Sequence, residues 1–110
     1  MTLPLSEADL QRCVIDLAQS LGWRVVHFRP AETKKGWRTA IQGDAGFVDL
    51  VLAKDGQVLL VELKSATGTL DDEQKAWGRA IGATWHLWRP MDWYDGTIDR
   101  ALGLGTKEAL

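Results

Sequence analysis

The chain has 110 residues, 45% hydrophobic and 25% charged, the balance of a single globular domain spanning 1–110 and not of a disordered segment. Its single cysteine, Cys13, excludes an internal disulfide and a multi-cysteine zinc site. The net charge of −2 excludes a uniformly basic nucleic-acid coat.

Residues 6–21 predict an amphipathic helix, with Leu10, Cys13, Val14, Leu17, Ala18 and Leu21 on one face, Ser6 as N-cap and Gly22 as stop. Cys13 falls within that apolar stripe and is expected in the core. Residues 23–28 are rich in β-branched and aromatic side chains and predict an edge strand, which Pro30 ends for want of an N–H. The stretch 31–46 reads as a long polar loop, of a length that usually has a function in so small a domain. Between 24 and 40 lie five basic residues (Arg24, Arg29, Lys34, Lys35, Arg38) against the single acid Glu32, whereas the rest of the chain has eight basic and fourteen acidic residues. A local basic segment on an acidic protein suits a groove for phosphates, and a solvated loop would look the same by charge alone. Within this segment Trp37 is either an aromatic for stacking on a base or an anchor on the core.

Two short apolar runs, 48–53 and 58–63, flank Lys54-Asp55-Gly56-Gln57 and predict a hairpin with Asp-Gly at its turn. Neither run alternates cleanly, so helices are expected on both faces of the sheet. Residues 71–81 predict a second helix stopped by Gly82, 84–88 a further strand ended by Pro90, and 94–102 a short last helix, followed by a frayed tail over 103–110. His27 and His86 fall in strands without the spacing of a paired metal site, and Trp23, Trp77, Trp85 and Trp88 lie in or beside regular elements, as core or interface residues do.

A two-residue turn at Asp55 and Gly56 fixes the register: Lys54 faces Gln57, and Asp49 faces Glu62. Strand periodicity then puts Lys64 on the face of Glu62. Opposed carboxylates among apolar residues repel and are poorly solvated. A hard divalent cation, Mg²⁺ or Mn²⁺, offsets both costs. Lys64 beside them offers positive charge to a phosphate or orients a water nucleophile, and the set suits phosphodiester hydrolysis. A buried acid–lysine ion pair is the structural alternative.

Asp49, twelve intervening residues, then Glu62-Leu63-Lys64 resembles the split motif of the PD-(D/E)XK nuclease superfamily. The wider order is similar to the VRR-NUC (virus-type replication-repair nuclease) family. It comprises Ser6-Glu7 opening a helix, Gly46-Phe47-Val48-Asp49-Leu50, Glu62-Leu63-Lys64, a loop through Gly68, Gln74 with Trp77, and Trp88-Arg89-Pro90. Val48 stands where that family often has proline. The resemblance implies an α/β PD-(D/E)XK-type core, a central mixed sheet flanked by helices in the order αβββαβ plus a terminal helix. It implies Asp49, Glu62 and the Leu63 backbone carbonyl as ligands of Mg²⁺ or Mn²⁺, with Glu7 reaching the metal directly or through water. Lys64 would be catalytic, with Gln74 on the helix behind it. Gln74 stands three residues after Asp71, so a capping box explains it equally, and Glu7 in a first turn also suits the helix dipole.

The activity implied is Mg²⁺-dependent DNA endonuclease action, structure-selective in the manner of phage Holliday-junction resolvases and so associated with DNA repair. Arg29, Lys34, Lys35, Trp37 and Arg38 are the expected DNA contacts. A homodimer, with Trp85, Trp88 and Trp93 as interface candidates, would present two sites to a branched substrate. The alternatives are a non-catalytic nucleic-acid-binding module and a phosphoesterase acting on a small nucleotide. The absence of a signal-like start or an apolar span makes the expected location cytoplasmic, in a bacterium or a phage-infected cell.

Overall fold

The structure, a computed structural model, describes residues 5–28, 31–33, 36–38 and 42–104, the two short pieces by their backbone. Helix α1 (Glu7–Ser20) starts where the sequence places it, the Ser6 hydroxyl accepting the Asp9 N–H at 3.0 Å. It leads into strand β1 (Arg24–His27). Strands β2 (Ala31–Thr33) and β3 (Gly36–Arg38) follow, then β4 (Leu50–Lys54) and β5 (Gln57–Leu63). Helix α2 (Asp72–Ile81), strand β6 (Trp85–Trp88) and the short helices α3 (Pro90–Tyr94) and α4 (Thr97–Leu102) complete the chain.

The main sheet has the order β1-β4-β5-β6, antiparallel except for the parallel β5–β6 pair. The protein is thus mixed α/β, with a four-stranded mixed sheet flanked by helices and β1 at an edge. The hairpin register is the one the Asp-Gly turn dictates, from Lys54 opposite Gln57 to Leu50 opposite Val61. Asp55 and Gly56 both have positive φ, 50° and 81°, as a two-residue turn matched to strand twist requires.

The two faces of the sheet are covered unequally. Leu50, Leu52, Leu59, Val61 and Leu63 pack against Leu10, Val14 and Ala18 of α1 and Ile98 and Leu102 of α4, closed by Trp23 and Trp88. The Trp23 indole N–H donates to the Leu102 carbonyl at 3.0 Å, which satisfies the polar atom of a buried ring. The opposite face has Val51, Leu60, Glu62 and Trp85, and α2 crosses it beside β6. Gly78 of α2 lies so near that a Cβ there would stand 3.0 Å from the Trp85 ring. Away from α2, Val26 and Val58 on this face are 52% and 42% exposed.

Three expectations are corrected. The 31–46 stretch is not wholly a loop, because β2 and β3 pair antiparallel with Ala31 opposite Arg38. The last helix is two, since Gly96 adopts φ 84° and breaks the path between α3 and α4. At the expected frayed tail, the Gly103 and Leu104 N–H groups bond to the Arg100 and Asp99 carbonyls, and 105–110 lie outside the described residues. Cys13 sits half-buried at the margin of the α1 stripe, and only Leu10, Val14 and Ala18 of that helix are fully buried.

Candidate active site

Asp49, Glu62 and Lys64 meet at the open end of the β4–β5 hairpin, by a route the simple register does not contain. The ladder stops at Leu50–Val61. The Asp49 N–H donates to the Val61 carbonyl at 3.0 Å, so two successive residues address one on β5, as at a bulge. The strand turns there, and the Asp49 carboxylate takes up the sheet's hydrogen bonding: Oδ2 accepts the Leu63 N–H at 2.8 Å. Phe28, just beyond β1, donates its N–H to the Asp49 carbonyl at 3.0 Å. Asp49 is therefore fixed on both sides, with its side chain directed at the segment containing Glu62.

Glu62 is 1% exposed, and no other charged residue is buried among the described residues. Its Oε1 accepts from the Gln74 side-chain amide at 3.2 Å, while Oε2 is buried with no N–H or hydroxyl donor, so that the adjacent Asp49 carboxyl can bond to Glu62 only through a shared proton. Burial is the largest influence on its acidity, followed by the adjacent Asp49 carboxyl, which favours a shared proton over two charges. The Glu7 charge adds to the effect and Lys64 opposes it, and the carboxyl is pushed up from 4.5 to about 9. Glu7, Asp49 and Lys64 all act on this one group.

Gln74 caps α2 and also contacts Glu62. Its N–H and Oε1 complete the capping box with Asp71, at 2.8 and 3.0 Å, while Nε2 reaches back to Glu62. Two ends of one amide therefore tie the start of α2 to the buried carboxylate. Among the described residues no three Asp, Glu, His or Cys side chains form a ready-made metal cage. Glu7, in the first turn of α1, influences the site through its field and does not complete such a cage with Asp49 and Glu62. Two carboxylates suit Mg²⁺, which keeps several waters and uses few protein ligands. An orphaned, desolvated carboxylate oxygen next to a second carboxylate is the donor set such an ion matches.

The base of the site contains two features the sequence did not single out as functional. Gly46, at φ 85°, lies against the first turn of α2, where a Cβ would stand 2.7 Å from Glu73 Cβ and 3.0 Å from the Gln74 nitrogen. Replacing Gly46 by alanine is expected to destabilise the protein by about 2 kcal/mol, combining positive-φ strain with displacement of α2. Chemical denaturation measures this, and a cost within about 0.5 kcal/mol would show that the contact relaxes freely. Phe47 next to it bridges Phe28 and Trp77 edge-to-face, with centroids 5.5 and 4.8 Å apart, and the Trp77 N–H donates to the Ala45 carbonyl at 2.9 Å. The second feature is Arg89, whose Nη1 donates to the carbonyls of Ser65 and Gly68 at 2.8 and 2.6 Å. In the sequence Gly46 and Arg89 stood out only as members of the ordered set of short motifs, with no local pattern giving either a role.

Of the expected DNA contacts, Arg29, Lys34 and Lys35 lie outside the described residues, and Trp37 and Arg38 belong to β3, described by backbone only. Trp88 is 2% exposed and belongs to the core, which removes it from the interface candidates. Trp93 packs partly buried against that core, and Trp85 faces α2. His86 is neutralised more readily than usual because burial lowers its pKa, and His27 accepts or donates at 3.4 Å from Gln11. Neither histidine belongs to the acid cluster. Among the described residues no helix is long and apolar enough to cross a membrane. Comparison with protein-family models, with curated proteins and with solved structures finds no match for the chain.

Proposed function

We propose that the protein is a metal-dependent endonuclease of the PD-(D/E)XK type, in the VRR-NUC manner, that hydrolyses DNA phosphodiester bonds. The observation supporting this reading is Glu62: a buried carboxylate with one unpartnered oxygen, next to Asp49 and with Lys64 in its field. A structural ion pair would bring Lys64 into contact with the carboxylate, yet the one ion pair among the described residues is Arg12–Asp9, within α1. A binding module has no use for so costly a group.

Asp49 and Glu62 would hold Mg²⁺ or Mn²⁺, together with the Leu63 carbonyl, and Glu7 would assist through water. The ion, when bound, supplies a Lewis acid for the phosphoryl oxygen and a more acidic water. Leu63 N–H orients Asp49, and Gln74 holds Glu62 Oε1, so the carboxylates are positioned before substrate arrives. Lys64 places positive charge where the phosphate accumulates negative charge.

DNA is the favoured polymer because of the basic 24–40 segment, with Arg29, Lys34, Lys35, Trp37 and Arg38 as its contacts. A branched, junction-type substrate and a homodimer that brings two sites to it complete the reading, within a cytoplasmic DNA-repair or phage role. The test is incubation with four-way, flapped and linear duplex DNA in Mg²⁺, Mn²⁺ or EDTA. Metal-dependent cutting with preference for branched forms is expected. Binding without cutting in either metal would indicate a non-catalytic module, and turnover of mononucleotides alone a small-molecule phosphoesterase.

A further inference from the structure

We infer that Arg89 is a positioning residue for Lys64, acting through Gly68; this rests on the proposed catalytic role of Lys64. The loop after β5 turns back on itself: the Ser65 hydroxyl accepts the Gly68 N–H at 2.9 Å. Arg89 closes that turn from the far side, one guanidinium nitrogen donating to both the Ser65 and Gly68 carbonyls. No carboxylate is within ion-pair distance of the guanidinium among the described residues, so its partners are backbone only.

The turn in turn confines the lysine. A Cβ on Gly68 would stand in ordinary contact with Lys64 Cδ, at 3.5 Å, and tight against Ser65 Oγ, at 3.1 Å, so the turn at Gly68 runs beside the lysine stem. The Lys64 N–H donates to the Trp88 carbonyl at 3.1 Å, which ties the main chain of the lysine to the residue before Arg89. The backbone of Arg89 is held as well, its N–H donating to Asp92 Oδ2 at 2.8 Å at the start of α3. Lys64 is thus held at its amide by β6 and along its stem by a turn that Arg89 closes. A flexible four-carbon side chain gains a fixed direction by such packing, and fixed direction is what a catalytic charge requires.

The test is Arg89→Ala, with two readouts. The first is side-chain order at Lys64, from relaxation of ¹³C-labelled lysine methylenes, with amide exchange at Gly68 as a local control. We expect faster Gly68 exchange and a more mobile Lys64 in a protein that still unfolds cooperatively. The second is DNA cleavage: kcat is expected to fall by about tenfold or more with KM nearly unchanged. Guanidinium ion in the buffer should restore part of both effects. Unchanged Lys64 order despite accelerated Gly68 exchange would overturn the proposal, as would full kcat in a variant with a mobile Lys64. If Arg89→Ala fails to fold, Arg89→Gln, which keeps most of the stem but lacks the guanidinium that bonds Ser65 and Gly68, is read in the same way. Should the parent protein cut no DNA, the catalytic reading falls, while the lysine order still decides whether Arg89 positions Lys64.

Discussion

Lys64→Ala, Asp49→Asn and Glu62→Gln should each reduce DNA cleavage by about 10²–10³-fold or more while leaving the protein folded, the scale of losing one electrostatic contact to a developing charge. The three differ in kind. Asp49→Asn keeps a side chain able to accept the Leu63 N–H, so the local strand path survives and the loss is one of charge. Lys64 is half-buried at the end of β5 and contributes nothing to the sealed face of Leu50 and Val61, so its truncation spares the core. Quantitative cleavage under single-turnover conditions separates these effects from slow product release. Activity within threefold of the parent in Lys64→Ala would remove the lysine from the mechanism.

Glu62 makes the metal-free protein sensitive to alkali. Its carboxyl is raised from 4.5 to about 9, first by burial and then by Asp49. Between those values the folded chain retains a proton that the unfolded chain has released, so stability falls as pH rises through this window. The effect is on the order of a few kcal/mol, which corresponds to a loss of about 10 °C or more in melting temperature for a domain of this size. Glu62→Gln retains the shape and the Gln74 contact but cannot ionise. In EDTA at pH 8.5 the variant should melt above the parent, and the two should converge towards pH 5. Mg²⁺ should restore the parent at high pH and do nothing for the variant, because a cation favours the ionised carboxylate and binds more tightly as pH rises. Parallel melting curves for parent and variant across pH would show that Glu62 is not the destabilised group.

The parts of the site that follow from local geometry were legible in the sequence. Asp55-Gly56 sets the hairpin register, and strand period then brings Asp49, Glu62 and Lys64 to one end. The actual junction depends on something the period cannot express: the bulge at Asp49, where a side chain replaces a backbone acceptor for Leu63. Gln74 read equally as a cap and as a neighbour of the acids, and only three-dimensional placement shows that the two ends of its amide make both contacts. Arg89 bonds to residues 21 and 24 positions away, and no local pattern encodes such a reach. The β2–β3 pair escaped because three-residue strands are too short to show alternation. Trp88 stood open between core and interface because a strand-end tryptophan has the same sequence signature in either place, and the fold puts it in the core.

Stability and function conflict at one residue. An apolar or amide side chain at position 62 would suit the fold better than glutamate, and the proposed cation is what would offset that cost. The most direct measurement is Mn²⁺ binding at pH 7.5, by calorimetry or by the electron paramagnetic resonance of free Mn²⁺, on the parent and on Asp49→Asn. Saturable binding in the parent, lost in the variant and competed by Mg²⁺, is the predicted result. Equal binding in both proteins, or none in the parent, would contradict a metal site at Asp49 and Glu62.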